Sequence, residues 1–333
     1  MNDPGGAIPV VVVTGFLGSG KTTLIRGLLA DPRAAAAALI VNEFGEVGID
    51  HHLFRKTDDR ITLLRDGCIC CTLRDDLADA MRDLLDARDR GDITPFDRVV
   101  IETTGLADPA PILHTIVSDP LLRHRFRVDR VVTALDAVSG LSNLETFGEA
   151  MRQVAIADIV VLTKLDLALP ETIATLRETV AGLNPMAQMA VAHHGRFDLD
   201  LVLAESERIS SADASRLTAH AAHTHAMQHT SGTVSSYTMT FDSALDWQMF
   251  GIWLTMLLHR HGERVLRVKG LLDVGAERGP LLLEGVQHVM HAPRHLQAWP
   301  DADRRSRLVF IVRGLDPALL RDSLLAFQEA AAG

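Results

Sequence analysis

Gly15-Phe16-Leu17-Gly18-Ser19-Gly20-Lys21-Thr22 matches G-x-x-x-x-G-K-[ST], and its flanks narrow the fold more than any other stretch of the chain. A β-branched run, Val10–Val13, precedes it, and an amphipathic segment, Thr22–Leu29, follows. Gly15, Gly18 and Gly20 let the backbone curl so that successive N–H groups face one point. The helix beginning near Lys21 adds the positive end of its dipole. Such a cradle takes phosphate. In this frame Ser19, Gly20 and Thr23 belong to the phosphate-binding loop, Lys21 reaches the β- and γ-phosphates, and the Thr22 hydroxyl ligates Mg²⁺.

Over residues 8–205 further apolar runs recur, at Leu39–Val41, Val99–Ile101, Val131–Leu135 and Val160–Leu162. Between them lie helical patterns such as Leu73–Leu85 and Thr172–Leu183. Continuous apolar runs alternating with amphipathic helices imply a doubly wound parallel sheet, an α/β fold. Two of these strands end in chemistry. The segment Asp97–Gly105 closes on Glu102, placed to hold Mg²⁺ or its waters, and on Gly105, whose N–H can meet a γ-phosphate. Thr163-Lys164-Leu165-Asp166 closes the other. Asp166 can accept hydrogen bonds from guanine N1–H and the 2-amino group, and Lys164 lies along the base. Asn usually stands where this chain has Thr163, and a hydroxyl replaces only part of an amide's bonding. GTP is the expected nucleotide.

Residues 206–232 change character, with Ser, Ala, Thr and Asp dominant and with His220, His223, His225 and His229 close together. They form a connector whose histidines either clasp a metal or are simply solvated. Beyond it, Thr233–Phe241, Val265–Val274, Leu281–Met290 and Leu308–Val312 suggest strands, and Trp247–His259 and Pro317–Glu329 suggest helices. The order β-α-β-β-β-α predicts a small α+β domain over 233–333, after a P-loop domain over 1–205. A net charge of −10 argues against a broad nucleic-acid face. No apolar run approaches the roughly 20 residues of a membrane span, and the first residues lack a leader pattern. A cytoplasmic protein is expected.

The three cysteines all fall within Cys68-Ile69-Cys70-Cys71. A disulfide framework would spread them, so reduced thiols used locally are expected. Ile61–Leu64 suggests a strand and Leu73 onward a helix, which places the thiols at a helix start, where thiolates are favoured. Three thiols cannot close a four-ligand zinc site, so an outside ligand is needed. The segment Asn42–Asp50 offers acids: Glu46 first, because Gly45 frees the loop to fold back, and Glu43 second. Zinc suits this donor set, soft donors also suit Cu(I), and Co²⁺ is weaker by affinity. Three small buried hydrophobes, or a redox-sensitive thiol group, would carry the same residues.

Taken together, GFLGSGKTTL (15–24), VNEFGEVGID (41–50), GCICCTLRDDL (67–77), DRVVIETTGLADP (97–109) and TKLD (163–166) resemble the CobW family of P-loop GTPases. VLRVKGLL (265–272), LLLEGVQHV (281–289) and RLVFIVRGLD (307–316) resemble that family's C-terminal domain. The resemblance implies a GTP-dependent metallochaperone, in most members handling zinc, that passes metal to a client metalloprotein. It implies Cys70, Cys71 and Glu46 as core metal ligands, with Cys68 beside them. The family also includes members tied to cobalt in cobalamin synthesis, so Co²⁺ stays open, as do the client and a homodimer. The rival readings are a metal buffer with incidental GTPase activity, an ATP-using enzyme, and a nucleotide-gated scaffold without metal.

Overall fold

The computed structural model of the protein describes residues 6–41, 61–63, 72–203, 234–275 and 279–332. Its described residues form two compact units, one drawn from Met1–Leu144, Ala157–Ile173 and Gln188–Ala204. The other is drawn from Glu145–Ile156, Ala174–Ala187 and Glu205–Gly333.

The first unit contains a 7-stranded sheet made of β1 (Ile8–Thr14), β2 (Ala37–Val41), β3 (Ile61–Leu63), β4 (Arg98–Glu102), β5 (Phe126–Asp136), β6 (Ile159–Thr163) and β7 (Gln188–Val191). Every pairing is parallel, and the order is β3-β2-β4-β1-β5-β6-β7. Along the chain the helices described up to residue 203 are α1 (Lys21–Leu29), α2 (Thr72–Arg90), α3 (Ala110–Ser118), α4 (Leu122–Arg125), α5 (Gly140–Thr146), α6 (Gly148–Ala155), α7 (Pro170–Leu183) and α8 (Asp200–Leu203), of which α6 and most of α7 fall in the second unit. Parallel strands need crossovers, and crossovers cover faces. Consecutive residues of β1 are therefore all apolar, because Val10 and Val12 are buried on one side and Val11 and Val13 on the other. Leu24, Ile25 and Leu28 of α1 and Val202 of α8 share a core with Val11, Val13, Leu39, Val100 and Val161. Arg98 caps the end of α8 by donating to the carbonyls of Val202 (2.6 Å) and Leu203 (3.0 Å).

The expected α/β fold with a smaller α+β part is therefore what the chain adopts. β1 lies at the centre of the sheet, with β4 on one side and β5 on the other. At such a reversal the carboxyl ends of the strands open a crevice.

The second unit holds β8 (Val234–Phe241), β9 (Val265–Leu272), β10 (Leu281–Val286), β11 (Val289–Met290), β12 (Arg294–His295) and β13 (Ser306–Arg313). They pair antiparallel in the order β11-β10-β9-β13-β8, with β12 on β10. Helices α9 (Trp247–His261) and α10 (Pro317–Ala332) share one core with alternate residues of these strands, among them Met239, Val268, Leu283 and Phe310. Asp246 caps α9 by accepting from the Met249 N–H at 2.8 Å, and Trp253 Nε1 donates to Ser323 Oγ of α10 at 2.9 Å. Leu281–Met290, expected as one strand, is a hairpin that turns at Gln287, whose φ is 49°. Neither turn position is Gly, Asn or Asp, so the usual signal is missing.

Tyr237 is 2% exposed, stacks on Phe310 with ring centroids 5.7 Å apart, and has a hydroxyl with no partner among the described residues. Burial, with the nearby Asp316 charge, pushes its ionisation far up. An unpaired buried hydroxyl gives back less than its desolvation costs. Tyr237→Phe is accordingly expected to leave stability unchanged or raise it by up to about 1 kcal/mol, read by chemical denaturation. A loss above about 1 kcal/mol would reveal a partner for the hydroxyl.

No helix among the described residues is long and apolar enough to cross a membrane.

Candidate nucleotide and metal site

The loop between β1 and α1 has the curled backbone its glycines foretell. Gly15, Gly18 and Gly20 adopt φ of 141°, 70° and 94°, and the Ser19 N–H bonds to Phe16 O at 3.1 Å. A Cβ on Gly15 would come within 2.4 Å of Ala134 O, so only glycine fits there. Lys21 opens α1, and its Nζ donates to Gly15 O at 2.7 Å and Phe16 O at 3.1 Å. The ammonium is thus held over the loop rather than in solvent. Thr23, one residue past Thr22, is exposed on the first turn.

β4 supplies the second part. Thr103 N–H bonds to Val13 O at 3.0 Å, and Thr103 Oγ1 donates to the buried Thr14 Oγ1 at 2.8 Å, which ties the end of β4 to the phosphate-loop strand. Glu102 is 7% exposed, and its Oε1 accepts from Thr22 Oγ1 at 3.0 Å. A hydroxyl and a carboxylate converging beside a phosphate loop are hard oxygen donors, the set that suits Mg²⁺. Gly105 presses on the same loop, since a Cβ there would lie 2.7 Å from Leu17 N.

β6 supplies the third part. Thr163 Oγ1 donates to Ser19 O at 2.7 Å, so the residue that replaces the customary Asn bonds the phosphate loop directly. Lys164 follows in a left-handed conformation, φ 56° and ψ 33°. Its ammonium meets Asp136 Oδ2 at 2.5 Å. Asp166 is exposed, in a 3-10 turn at Leu165–Leu167, and its carboxylate makes no hydrogen bond among the described residues. It therefore does not cap the following α7, the alternative role such an acid could have.

The spacing of motifs did not single out Asp136. It ends β5 and is buried, and burial pushes its carboxyl up. Hydrogen bonds from Lys164 and the Val138 N–H outweigh this and hold it below the ordinary carboxylate range. The only sequence signal was an acid at a strand's end, the same signal that marked Glu102.

The proposed metal ligands Glu43, Glu46, Cys68, Cys70 and Cys71 lie outside the described residues, as does the connector with its four histidines. Among the described residues, no group of three or more His, Cys, Asp or Glu is placed to hold a metal.

A glycine-lined loop between a buried parallel strand and a helix, with its lysine, threonine and facing carboxylate, defines a P-loop nucleotide-binding protein. Residues 9–191 match the CobW/HypB/UreG nucleotide-binding domain, and residues 234–328 match the C-terminal domain of the cobalamin synthesis protein CobW. The chain belongs to the CobW family. It is 36% identical over 310 residues to the zinc chaperone YjiA of Escherichia coli K12, covering 91% of this chain and 93% of that one. To the zinc chaperone CobW of a Sinorhizobium species it is 31% identical, covering 96% and 97%. The crystal structure of Zn(II)-bound YjiA GTPase from E. coli superposes with a TM-score of 0.70 at 31% identity, covering 97% of this chain and 99% of that one.

Proposed function

We propose that this protein is a GTP-hydrolysing metallochaperone that passes a transition metal, zinc first, to a client metalloprotein. One observation carries the nucleotide part. The phosphate loop with Lys21, the Thr22–Glu102 pair and the free Asp166 all lie at carboxyl ends of strands of one sheet. In open parallel sheets ligands bind outside the carboxyl ends of the strands, so one nucleotide bound there would meet the phosphate loop after β1 and Asp166 after β6. Likeness to relatives named zinc chaperones, over nearly the whole of both chains, supports the metal part.

Lys21 exchanges its two loop carbonyls for β- and γ-phosphate oxygens. Thr22 and Glu102 are the residues that would hold Mg²⁺, and the ion would supply positive charge to offset that of the phosphates. Glu102 and Gly105 then sense the γ-phosphate, and hydrolysis removes their anchor. The segment 43–50 follows β2 in sequence. If it supplies Glu46 to a thiolate site of Cys68, Cys70 and Cys71, loss of the γ-phosphate opens that site and frees the metal.

The test replaces both Cys70 and Cys71 with serine. Zinc affinity is expected to fall at least about a hundredfold while guanine-nucleotide affinity stays within about twofold. Titration with a competing chelator, with GTP, GDP and no nucleotide, reads both metal affinity and its coupling. Undiminished zinc binding by the double variant would remove the thiol site from the account. A wild-type affinity indifferent to nucleotide would reduce the protein to a metal buffer.

A further inference from the structure

We propose that Asp136 is a positioning residue for purine recognition, one that holds the Lys164 side chain as a preformed shelf for the base. The inference rests on the guanine-nucleotide reading above and adds a residue to it.

Asp136 is locked before it meets Lys164. Its Oδ1 accepts the Val138 N–H at 2.7 Å and the Ser139 N–H at 3.4 Å, and its Oδ2 accepts Ser139 Oγ at 3.2 Å. The carboxylate, 5% exposed, therefore has one orientation, set by its own turn. From it, Oδ2 reaches Lys164 Nζ at 2.5 Å. The other end of Lys164 is fixed as well. Thr163 O accepts the Ala137 N–H at 2.9 Å, and Thr163 Oγ1 bonds Ser19 O. Lys164 itself sits in a left-handed backbone conformation, disfavoured for any residue with a Cβ.

A lysine chain tied at both ends cannot sample its usual rotamers. Its methylenes are strung between the ends of β5 and β6, and the side chain is still 38% exposed. Long lysine stems commonly cover apolar surface while the charge is satisfied elsewhere. Here the surface they would cover is a purine ring whose edge Asp166 reads two residues further on. Holding the stem in place beforehand removes an ordering cost from nucleotide binding. Asp136 need not touch the nucleotide to do this.

An ion pair that merely ties two loops together would show the same contact, so the test separates the two. Steady-state GTP hydrolysis and equilibrium binding of a fluorescent GDP are measured for wild type, Asp136→Asn, Lys164→Met and the double variant, with thermal unfolding alongside. Asp136→Asn is expected to raise KM for GTP about tenfold and to leave kcat within about twofold. Lys164→Met, which keeps an apolar chain but loses the anchor, should match it, and the double variant should be no worse than either. The preference for GTP over ITP should not move, because ring stacking is common to both bases and the missing 2-amino group is read by Asp166. An unchanged KM in Asp136→Asn, a loss confined to kcat, a changed GTP-to-ITP ratio, or additive losses would each overturn the proposal. Should Asp136→Asn not fold, Lys164→Met decides alone, and an unchanged KM there overturns it. Wild-type protein without affinity for GDP overturns this proposal and the guanine reading together, whereas tight wild-type binding with an unaffected Asp136→Asn overturns the shelf only.

Discussion

Lys21→Ala is expected to lower GTP turnover at saturating nucleotide by at least about a hundredfold, the usual cost of removing one preorganised donor from developing charge. Lys21 is well suited to that role because its place is already set. It starts α1, and its ammonium is gathered onto Gly15 O and Phe16 O. Phosphate oxygens, which carry full charge, are expected to displace those neutral carbonyls as partners. The alanine variant loses no core contact, since Lys21 is only half-buried and belongs to no apolar cluster. Thermal unfolding should therefore stay near wild type, and phosphate release measured on matched protein reads the chemistry alone. Turnover within about threefold of wild type would mean that the loop binds something other than a triphosphate poised for hydrolysis.

Local patterns carried most of the first sheet. β1, β2, β4, β5 and β6 each write their burial into consecutive apolar residues, and the phosphate loop writes its backbone into glycine. β7 was invisible for the opposite reason. Gln188-Met189-Ala190-Val191 is short and mixed, with Met189 37% exposed, and it is a strand because β6 pairs with it at the sheet's edge. The Gln287 turn was hidden because a positive φ there falls on a residue that gives no warning. In the site, Glu102 was legible from its place at the end of a strand, and its meeting with Thr22 follows from β1 and β4 being neighbours. Thr163 looked like a departure from the customary motif. Its hydroxyl bond to Ser19 O depends on where the phosphate loop runs, which no spacing rule contains. The Asp136–Lys164 pair joins two strand ends 28 residues apart, and nothing local distinguishes that acid from any other strand-terminal acid.

Asp166→Asn is expected to turn the protein from a guanine to a xanthine nucleotide user. Guanine presents two donors, N1–H and the 2-amino group, to a carboxylate that can accept both. Xanthine keeps N1–H but has a carbonyl at position 2, which an aspartate repels and an asparagine NH₂ can serve. Hydrogen bonds to a charged group contribute about 1.5–3 kcal/mol each, so losing the charge and mismatching one partner should raise KM for GTP about 10²–10⁴-fold. XTP, nearly inert with wild type, should then become the better substrate. Asp166 is exposed and makes no hydrogen bond among the described residues, so the substitution removes no support from the fold. That separates it from Asp136→Asn, which touches a buried, four-bonded carboxylate and should weaken all purines alike. Competition of GTP, ITP, XTP and ATP against fluorescent GDP, run on wild type and both variants, distinguishes edge reading from ring support. If Asp166→Asn kept its preference for GTP over XTP, the carboxylate would not be what selects the base, and the Thr163–Asp166 loop would have to be reassigned to phosphate-loop support alone.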